Sequence, residues 1–457
     1  MAPRRNKRRG ALYRRLPSGN HGLERLNVER NQLNRLHGAM VAAVGKRGYA
    51  KTTVADVVDL AGVSRTTFYQ HFGSKQHCFL ATFDIILERG TEQISREYRS
   101  AEGMRERLRA GFEAFIDIVT SDPAAARLVI VESLAAGAEA LEHRERAAAA
   151  FERLFRQSFD EAPEAGAVSD VTISAIVGGI QRVLYIHLRE GRVDALAALV
   201  DDLLDWALSY PAPGVEPPGR SPTPARRTAG PAVPAVLASA PVPAEARLRY
   251  SQRERILLAV AHLVAEKGYA RLTIPDISAT AGTSNQTLYE NFSGKEEALL
   301  ATYDDFAARA FEETAAAFAK RTDWAEALTD ALGTLLGFIA AHPAFARLAF
   351  FELLTAGSAA QQRSEFVLDG FGGFLQPGFE RAPAVPPVVG RAIVGGIWSV
   401  IYNELAHDRL ARLPALTPSV AFIALAPFLG PGEAAAVSGG RRRARPPRGA
   451  RPSARGR

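Results

Sequence analysis

Cysteine, strand-forming patterns and long apolar runs are all scarce in this sequence. The single cysteine, Cys78, permits no disulfide within the chain and excludes a metal site built from paired thiols. No window of about 18 uninterrupted apolar residues occurs, so no membrane-spanning helix is expected. The basic N-terminal run lacks a following apolar stretch, so no secretory signal is expected either. These absences favour a soluble, cytoplasmic protein.

The sequence also lacks motifs of catalysis. It contains no phosphate-binding glycine loop and no nucleophile elbow around a serine. The histidines have no second ligand at a metal-binding spacing, as His187, His262 and His407 illustrate. We expect Cys78 to be a small buried residue, with redox sensing as the weaker alternative. An enzyme is the least favoured class, and no cofactor or metal is expected.

Positive charge is concentrated at the two ends of the chain. The formal net charge is +7, yet residues 1–16 carry seven Lys or Arg and residues 441–457 carry eight Arg, which leaves −8 for the segment between them. Such ends are expected to be solvated and disordered. They either add nonspecific affinity for phosphates or serve only solubility.

An internal duplication organises the chain. Residues 31–82 align without a gap onto residues 251–302, and 19 of the 52 positions are identical. The correspondence continues between 122–137 and 342–357, and again between 177–188 and 394–405, where both segments begin Val-Gly-Gly-Ile. Each repeat is far longer than the unit of a solenoid. The proline-rich segment 211–246 between them predicts an extended, semi-rigid linker.

Helical periodicity dominates both repeats, and both contain the signals of a helix-turn-helix. A Gly-Tyr-Ala break ends the first helix, and a Thr-x-x-Asp capping box then begins a short second helix at Thr53 or Thr273. Ala-Gly ends that helix, and Ser64 or Ser284 is a natural N-cap for a third.

The third helix of each repeat begins with side chains suited to reading bases. Arg65 favours guanine edges, whereas Asn285 and Gln286 favour adenine edges. Tyr69 and Tyr289 could reach a phosphate while the following Phe anchors the helix to the core. A solvated face on a small helical bundle is the alternative interpretation, and the duplication of the full pattern favours DNA contact.

The runs TTVADVVDLAGVSRTTFYQHFGSK and TIPDISATAGTSNQTLYENFSGK resemble the DNA-binding signature of the TetR family of bacterial regulators. The resemblance implies an all-α fold in which a three-helix DNA-binding domain precedes a larger helical domain for dimerisation and, commonly, effector binding. It implies contacts to the double-stranded DNA backbone from Thr53, Ser64, Thr67, Tyr69 and Lys75, and from their counterparts Thr273, Ser284, Thr287, Tyr289 and Lys295. It places near bases or adjacent phosphates the residues Arg65, Thr66, His71, Asn285, Gln286 and Asn291.

This chain departs from the family in holding two units. The expected segments are a basic disordered tail (1–25), a DNA-binding domain (26–90), a regulatory domain (91–210), the linker (211–246), a second DNA-binding domain (247–310), a second regulatory domain (311–432) and an Arg-rich disordered tail (433–457). We expect the last helices of the units, roughly 170–188 with 194–209 and 387–405 with 415–429, to form a four-helix pseudo-dimer interface, with further homodimerisation left open.

The leading hypothesis is a sequence-specific regulator in the cytoplasm, associated with the nucleoid. We expect a repressor that is released by a small molecule and reads an asymmetric operator. The alternative is an architectural DNA-binding protein without an effector. Glu132 and Glu352 could be ligand-binding carboxylates, although a structural salt bridge or capping role is more common for such residues. The glycine-rich run DGFGGFLQPGF at 369–379 could line a pocket or form a loop.

Overall fold

The computed structural model describes residues 25–212, 214–215, 218, 251–353 and 356–439, and all regular structure in these ranges is helical. The basic tail expected at 1–25 lies outside the described residues except for residue 25. The Arg-rich tail from residue 440 onward and most of the linker at 211–246 also lie outside them.

The first unit consists of helices that follow the predicted order. They are α1 (Arg25–Arg47), α2 (Val54–Ala61), α3 (Arg65–His71), α4 (Lys75–Ser100), α5 (Met104–Ser121), α6 (Pro123–Ile130), α7 (Ala138–Asp160), α8 (Asp170–Glu190) and α9 (Val200–Ala207). Short 3-10 turns cover Glu132–Ala135, Pro163–Ala165 and Val193–Leu199. The last of these replaces the first half of the helix expected at 194–209.

The second unit repeats this order with two additional helices. Its helices are α10 (Gln252–Lys267), α11 (Ile274–Ala281), α12 (Asn285–Asn291), α13 (Lys295–Phe318), α14 (Trp324–Ala341), α15 (Pro343–Arg347), α16 (Ser358–Gly372), α17 (Gln376–Arg381), α18 (Val388–Ala406), α19 (Thr417–Leu429) and α20 (Pro431–Ser438). A π-helical turn spans Leu348–Glu352, and 3-10 turns span Tyr269–Arg271, Gly373–Leu375 and Leu410–Leu416.

Three expected boundaries differ from the structure. Residues 90 and 310 fall inside α4 and α13, because these helices contain no proline and keep burying side chains, such as Ile94 and Tyr98, beyond the DNA-binding domain. Residues 433–438 belong to α20 and not to a disordered tail, since Pro431 starts the helix and Ala434 is fully buried. The glycine-rich run at 369–379 is largely helical, and Phe371, Phe374 and Leu375 line a cavity.

The two units meet where α8 crosses α18. The Val-Gly-Gly motif of each repeat lies at this crossing, and the contacts are reciprocal: Gly178 faces Ser399, whereas Gly395 faces Arg182. These four residues are two pairs of equivalent positions, so the crossing has the contact pattern of a two-fold axis.

A second reciprocal pair brings the two backbones together. Gly179 lies against the carbonyl of Ala392, and Gly396 lies against that of Ala175. A Cβ atom on Gly396 would be 2.6 Å from the Ala175 carbonyl oxygen, which is too close for any side chain. The crossing therefore depends on glycine at these positions.

Polar contacts across the same interface are not reciprocal. Arg182 forms a largely buried ion pair with Glu365, while its counterpart in the second unit is Ser399. Tyr402 donates to Glu145 at 3.1 Å, and Asn403 donates to Ser174 at 2.6 Å. The two faces of the interface have therefore diverged in chemistry while keeping a common backbone geometry.

Two helices are long and apolar enough to cross a membrane by length and composition, namely Asp170–Glu190 and the continuous run Leu410–Leu429. Of their most apolar windows, 78% and 67% are buried within the protein. Both are apolar because they pack inside the protein. Asp170–Glu190 forms the crossing with α18, and Leu410–Leu429 packs in the hydrophobic core of the second unit.

Candidate nucleic-acid interface

The helix-turn-helix of the first unit is built from its capping residues. Thr53 caps α2 and forms the predicted capping box, since its hydroxyl accepts from the Asp56 N–H while the Asp56 carboxylate accepts from the Thr53 N–H at 2.9 Å. The Thr53 hydroxyl also donates to the Asp56 carboxylate at 2.7 Å, and this bond, followed by that from the Thr53 N–H, lowers the pKa of the Asp56 carboxyl. Gly62 then ends α2 at φ +59°, a left-handed conformation that favours glycine. Ser64 accepts from the Thr67 N–H at 3.0 Å and starts α3.

The second unit reproduces this geometry. Thr273 and Asp276 form the same capping box, and Lys267 pairs with Asp276, so the pKa of that carboxyl is lowered first by Lys267 and then by Thr273. Gly282 adopts φ +63°, and Ser284 accepts from the Thr287 N–H at 3.0 Å. The capping prediction is confirmed in both repeats.

The first reading helix, α3, presents its N-terminal side chains to solvent. Arg65 and Thr66 are exposed, and Tyr69 is 57% exposed. The helix is held to the core by Phe68, which is completely buried, as well as by the predicted anchor Phe72. The sequence pattern predicts only Phe72 as an anchor. The signal for Phe68 is its position as an apolar residue between Thr66-Thr67 and Tyr69-Gln70. The Tyr69 ring packs edge-on against the Phe68 ring at 5.3 Å between centroids, and more than half of the residue faces solvent.

The second reading helix, α12, has the same exposure pattern with different chemistry. Asn285 and Gln286 are exposed, Tyr289 is 58% exposed, and Leu288 is the buried anchor. The Gln286 amide donates to the Glu290 carboxylate at 3.0 Å. Part of the hydrogen-bonding capacity expected for an adenine edge is therefore engaged within the helix.

Four other expected contact residues are less free than the sequence implied. Thr67 and Thr287 are half-buried, and their hydroxyls lie 2.9 and 3.0 Å from those of the N-cap serines. The Asn291 amide nitrogen donates to the Thr287 carbonyl at 2.8 Å. His71 is half-buried with its ring near Phe72. These side chains stabilise the helices that carry the exposed residues.

The two lysines expected to bind the DNA backbone are engaged inside their own units. Lys75 donates to the carbonyls of Tyr49 and Thr52, each at 2.9 Å, and its ammonium lies 4.0 Å from the centroid of the Tyr49 ring. Lys295 makes the equivalent contacts with Tyr269 and Leu272. Because these acceptors surround the ammonium group, the lysines position the turn after the first helix.

Glu132 and Glu352 have the capping role that was the alternative interpretation for them. The Glu132 carboxylate accepts from the Tyr49 N–H at 2.8 Å and pairs with Arg127 at 3.3 Å. Glu352 accepts from the Tyr269 N–H, also at 2.8 Å. Neither residue lines the large apolar cavity of its unit. Each carboxylate therefore joins the regulatory domain to the turn that begins the helix-turn-helix.

Sequence reasoning missed a pair of arginines that support the turn. Arg35 donates to the carbonyls of Ala61 and Gly62, and its counterpart Arg255 donates to Gly282 at 3.4 Å. Both occupy the same position of the aligned repeats, which is the signal that could have identified them. They satisfy carbonyls at the end of the second helix.

Each regulatory domain encloses an apolar cavity. The cavity of the first unit has a volume of about 130 Å³ between α4, α5, α6 and α7, and that of the second has about 110 Å³ at the equivalent place. Within the described residues, no group of three or more His, Cys, Asp or Glu side chains is arranged to hold a metal ion.

Comparison with known proteins gives two matches to one family model. The model for bacterial regulatory proteins of the tetR family matches residues 39–82 and 256–302, which contain the two helix-turn-helix modules. The transcriptional activator FasR of Mycolicibacterium smegmatis is 35% identical over 83 residues, or 18% of this chain and 38% of that protein. The regulator EthR of the same organism is 34% identical over 94 residues, or 20% of this chain and 40% of that protein. The chain thus spans about two fifths of the length of these curated relatives.

Solved structures that resemble the chain cover about two fifths of it. The fatty acid degradation regulator FadR from Bacillus halodurans is 19% identical and covers 40% of this chain and 99% of its own, with a TM-score of 0.36. A TetR-like regulator from Rhodococcus sp. RHA1 is 20% identical and covers 41% of this chain and 98% of its own, with a TM-score of 0.35. Two separate segments of the chain thus match the model for bacterial regulatory proteins of the tetR family, so the chain contains two tetR-type N-terminal domains in tandem.

Proposed function

We propose that this protein is a sequence-specific transcriptional regulator that binds an asymmetric DNA operator with two different heads on one chain. The observation that carries the proposal is the pair of exposed reading helices, whose equivalent positions hold Arg65 and Thr66 in one unit and Asn285 and Gln286 in the other. A guanidinium and a carboxamide prefer different base edges. Two such heads on one scaffold favour unlike half-sites about one helical turn apart.

The pseudo-dimer is proposed to act as the structural equivalent of a homodimer. Support comes from the reciprocal glycine contacts between α8 and α18, and from Tyr210, which donates to the Ile423 carbonyl at 3.1 Å. An intrachain partner keeps the two heads at a fixed separation at any protein concentration. Association of two whole chains is not required for such binding.

The two heads are proposed to contribute unequally to affinity. Residues 31–75 carry six Lys or Arg and two acids, for a net charge of +4, whereas residues 251–295 carry five and four, for +1. Glu290 lies on the second reading helix itself. Because phosphate attraction dominates DNA affinity, the first head should bind more strongly and with a steeper dependence on salt.

A small molecule in the apolar cavity is proposed to release the protein from DNA, as in a repressor relieved by an effector. The argument for coupling begins at α6, whose residues Ala126, Val129 and Ile130 line the cavity of the first unit. The same helix packs on α1, where a Cβ on Gly45 would lie 3.2 Å from that of Ala124. Glu132 lies two residues after the end of α6, and its carboxylate accepts a hydrogen bond from the Tyr49 N–H. A ligand that displaces α6 therefore shifts the helix-turn-helix of the first unit, which carries α3.

Selection of binding sites from random DNA tests the proposal. The wild type is expected to select an asymmetric site, Arg65→Ala is expected to relax one half, and Gln286→Ala is expected to relax the other, each by about 1–3 kcal/mol of discrimination. Arg99→Ala, an exposed arginine on α4 outside the reading helices, is the matched control and should select the wild-type site.

Two outcomes would overturn the proposal. Identical effects of both substitutions on both halves would exclude the asymmetric reading. Binding with steep salt dependence and no preferred sequence would instead indicate an architectural DNA-binding protein, in which the basic ends of the chain carry the affinity.

No enzymatic activity is proposed. We place the protein in the cytoplasm, in contact with the nucleoid.

A further inference from the structure

Two charged residues, Arg144 and Asp122, line the first cavity, whereas the described residues that line the second include none. Helix α7 of the first unit aligns with α16 of the second, so that Phe151 and Phe371 occupy the same place in the two walls. At another aligned position, the first cavity is lined by Arg144 and the second by Ser364. The units have therefore kept a largely apolar lining, while the guanidinium of Arg144 has no charged counterpart at the aligned position of the second cavity.

Most N–H groups of the Arg144 guanidinium form no hydrogen bond with the described residues. Its Nη1 donates to the Ile130 carbonyl at 2.9 Å. Among the residues that the structure describes, no carboxylate forms an ion pair with this guanidinium. The acidic residue that lines the same cavity, Asp122, caps α6 by accepting from the Ala125 N–H at 3.2 Å. A guanidinium offers five N–H donors, so most of those of Arg144 remain for a ligand.

The surroundings make an uncompensated cation costly. Arg144 is half-buried, burial lowers the pKa of its guanidinium below the ordinary value, and the phenols of Tyr402 and Tyr185 oppose that shift. A buried charge without a counter-ion is destabilising, and an anion that enters the same cavity offsets that cost. In the second unit the corresponding hydroxyl of Ser364 lies beside Tyr303 and carries no charge.

From this geometry we infer that the first cavity binds an apolar carboxylate with its head group on Arg144, whereas the second cavity accepts only uncharged apolar molecules. The inference rests on the proposed function in taking the cavity as the effector site, and it adds the ligand class and the residue that selects it. Arg144 also lines the cleft between α7 and α18 that contains Tyr402. A bound carboxylate would thus lie at the seam between the units.

Isothermal titration calorimetry with decanoate and decanol tests this inference, because the two probes share an apolar chain and differ in charge. The wild type should bind decanoate at one site per chain, about tenfold to a hundredfold more tightly than decanol, as expected for a hydrogen bond to a charged group. Arg144→Ser, which copies the second unit, should remove this difference and leave decanol affinity within about twofold. Ser364→Arg should create a second decanoate site.

Two further variants separate charge from packing. Arg144→Lys keeps the positive charge and should retain a preference for decanoate over decanol. Arg146→Ser changes an exposed arginine on the same helix and should behave as the wild type. Circular dichroism and thermal melting establish that each variant is folded. If Arg144→Ser binds decanoate as tightly as the wild type, or if Arg144→Lys loses as much affinity as Arg144→Ser, the inference is wrong.

The calorimetry contains no DNA, so its outcome is independent of the operator selection. Sequence-specific DNA binding together with equal affinities for decanoate and decanol would overturn only the ligand inference. Charge-selective binding of decanoate by a chain that prefers no DNA sequence would overturn only the proposed function.

Discussion

The first DNA-binding domain contains a buried histidine that should make its stability depend on pH. His37 lies on α1 with 8% of its surface exposed, and its Nδ1 is 2.8 Å from the Thr82 hydroxyl on α4. Burial is the main cause that lowers the pKa of His37 to about 4, and the nearby Arg89 and His71 lower it further. The second unit has Leu257 at the same position, so it supplies an internal control.

The sign of the effect follows from proton linkage. An unfolded histidine has a pKa of about 6.5, so between pH 6.5 and 4 the unfolded chain binds more protons than the folded one. Stability is therefore complete above pH 6.5 and is lost as pH falls toward 4. At pH 5 the full shift corresponds to about 2 kcal/mol relative to pH 7, which we reduce to about 1–2 kcal/mol for partial solvent access.

Replacement of His37 by Leu should remove this term. In urea denaturation followed by circular dichroism, the loss of unfolding free energy between pH 7 and pH 5 should be smaller in His37→Leu than in the wild type by about 1–2 kcal/mol. The carboxylates that titrate in this range are common to both proteins and cancel in the comparison. His262→Leu, on the equivalent helix of the second unit, should keep the wild-type dependence. Parallel pH profiles for His37→Leu and the wild type would refute the reasoning.

Three more predictions concern contacts described above. Glu132→Ala should lower the unfolding free energy by about 2 kcal/mol, because it leaves the Tyr49 N–H without its acceptor, and it should weaken binding to the half-site of the first head only; a loss confined to the second half-site would contradict this. Gly396→Val should cost about 3 kcal/mol or more through its clash with the Ala175 carbonyl, and an unchanged melting temperature would show that the crossing tolerates side chains. Burial raises the pKa of the Cys78 thiol to about 12, so iodoacetamide at pH 8 should label it only after denaturation; rapid labelling of the native protein would contradict the burial.

The local structure of both units was predictable from sequence because the signals that define it are themselves local. Thr53 and Asp56 are three residues apart, and Gly62 and Ser64 are separated by one residue, so the capping box, the turn and the next N-cap could all be identified from spacing. The duplication made the same pattern visible twice. The helical fold followed from these signals and from the periodicity of the apolar residues.

The contacts that determine function were less accessible, since their partners are distant in sequence. Glu132 binds the backbone of a residue 83 positions earlier, and Lys75 binds carbonyls 23 and 26 positions earlier. A charged residue in a helical pattern indicates only that it requires a partner, and it does not identify one. The structure supplies partners for Glu132 and Lys75 that spacing could not identify, while the ligand role of Glu132 and the phosphate contact of Lys75 stay predictions.

The unequal seam between α8 and α18 has an evolutionary consequence. In an assembly of identical subunits, every substitution at the axis occurs twice and must be compatible with itself. Here Arg182 faces Gly395 on one side while Ser399 faces Gly178 on the other, so each half can change alone and the opposite half can adapt. Because the two faces are separate stretches of one chain, a substitution on one face occurs once and meets a different residue from the one its counterpart meets.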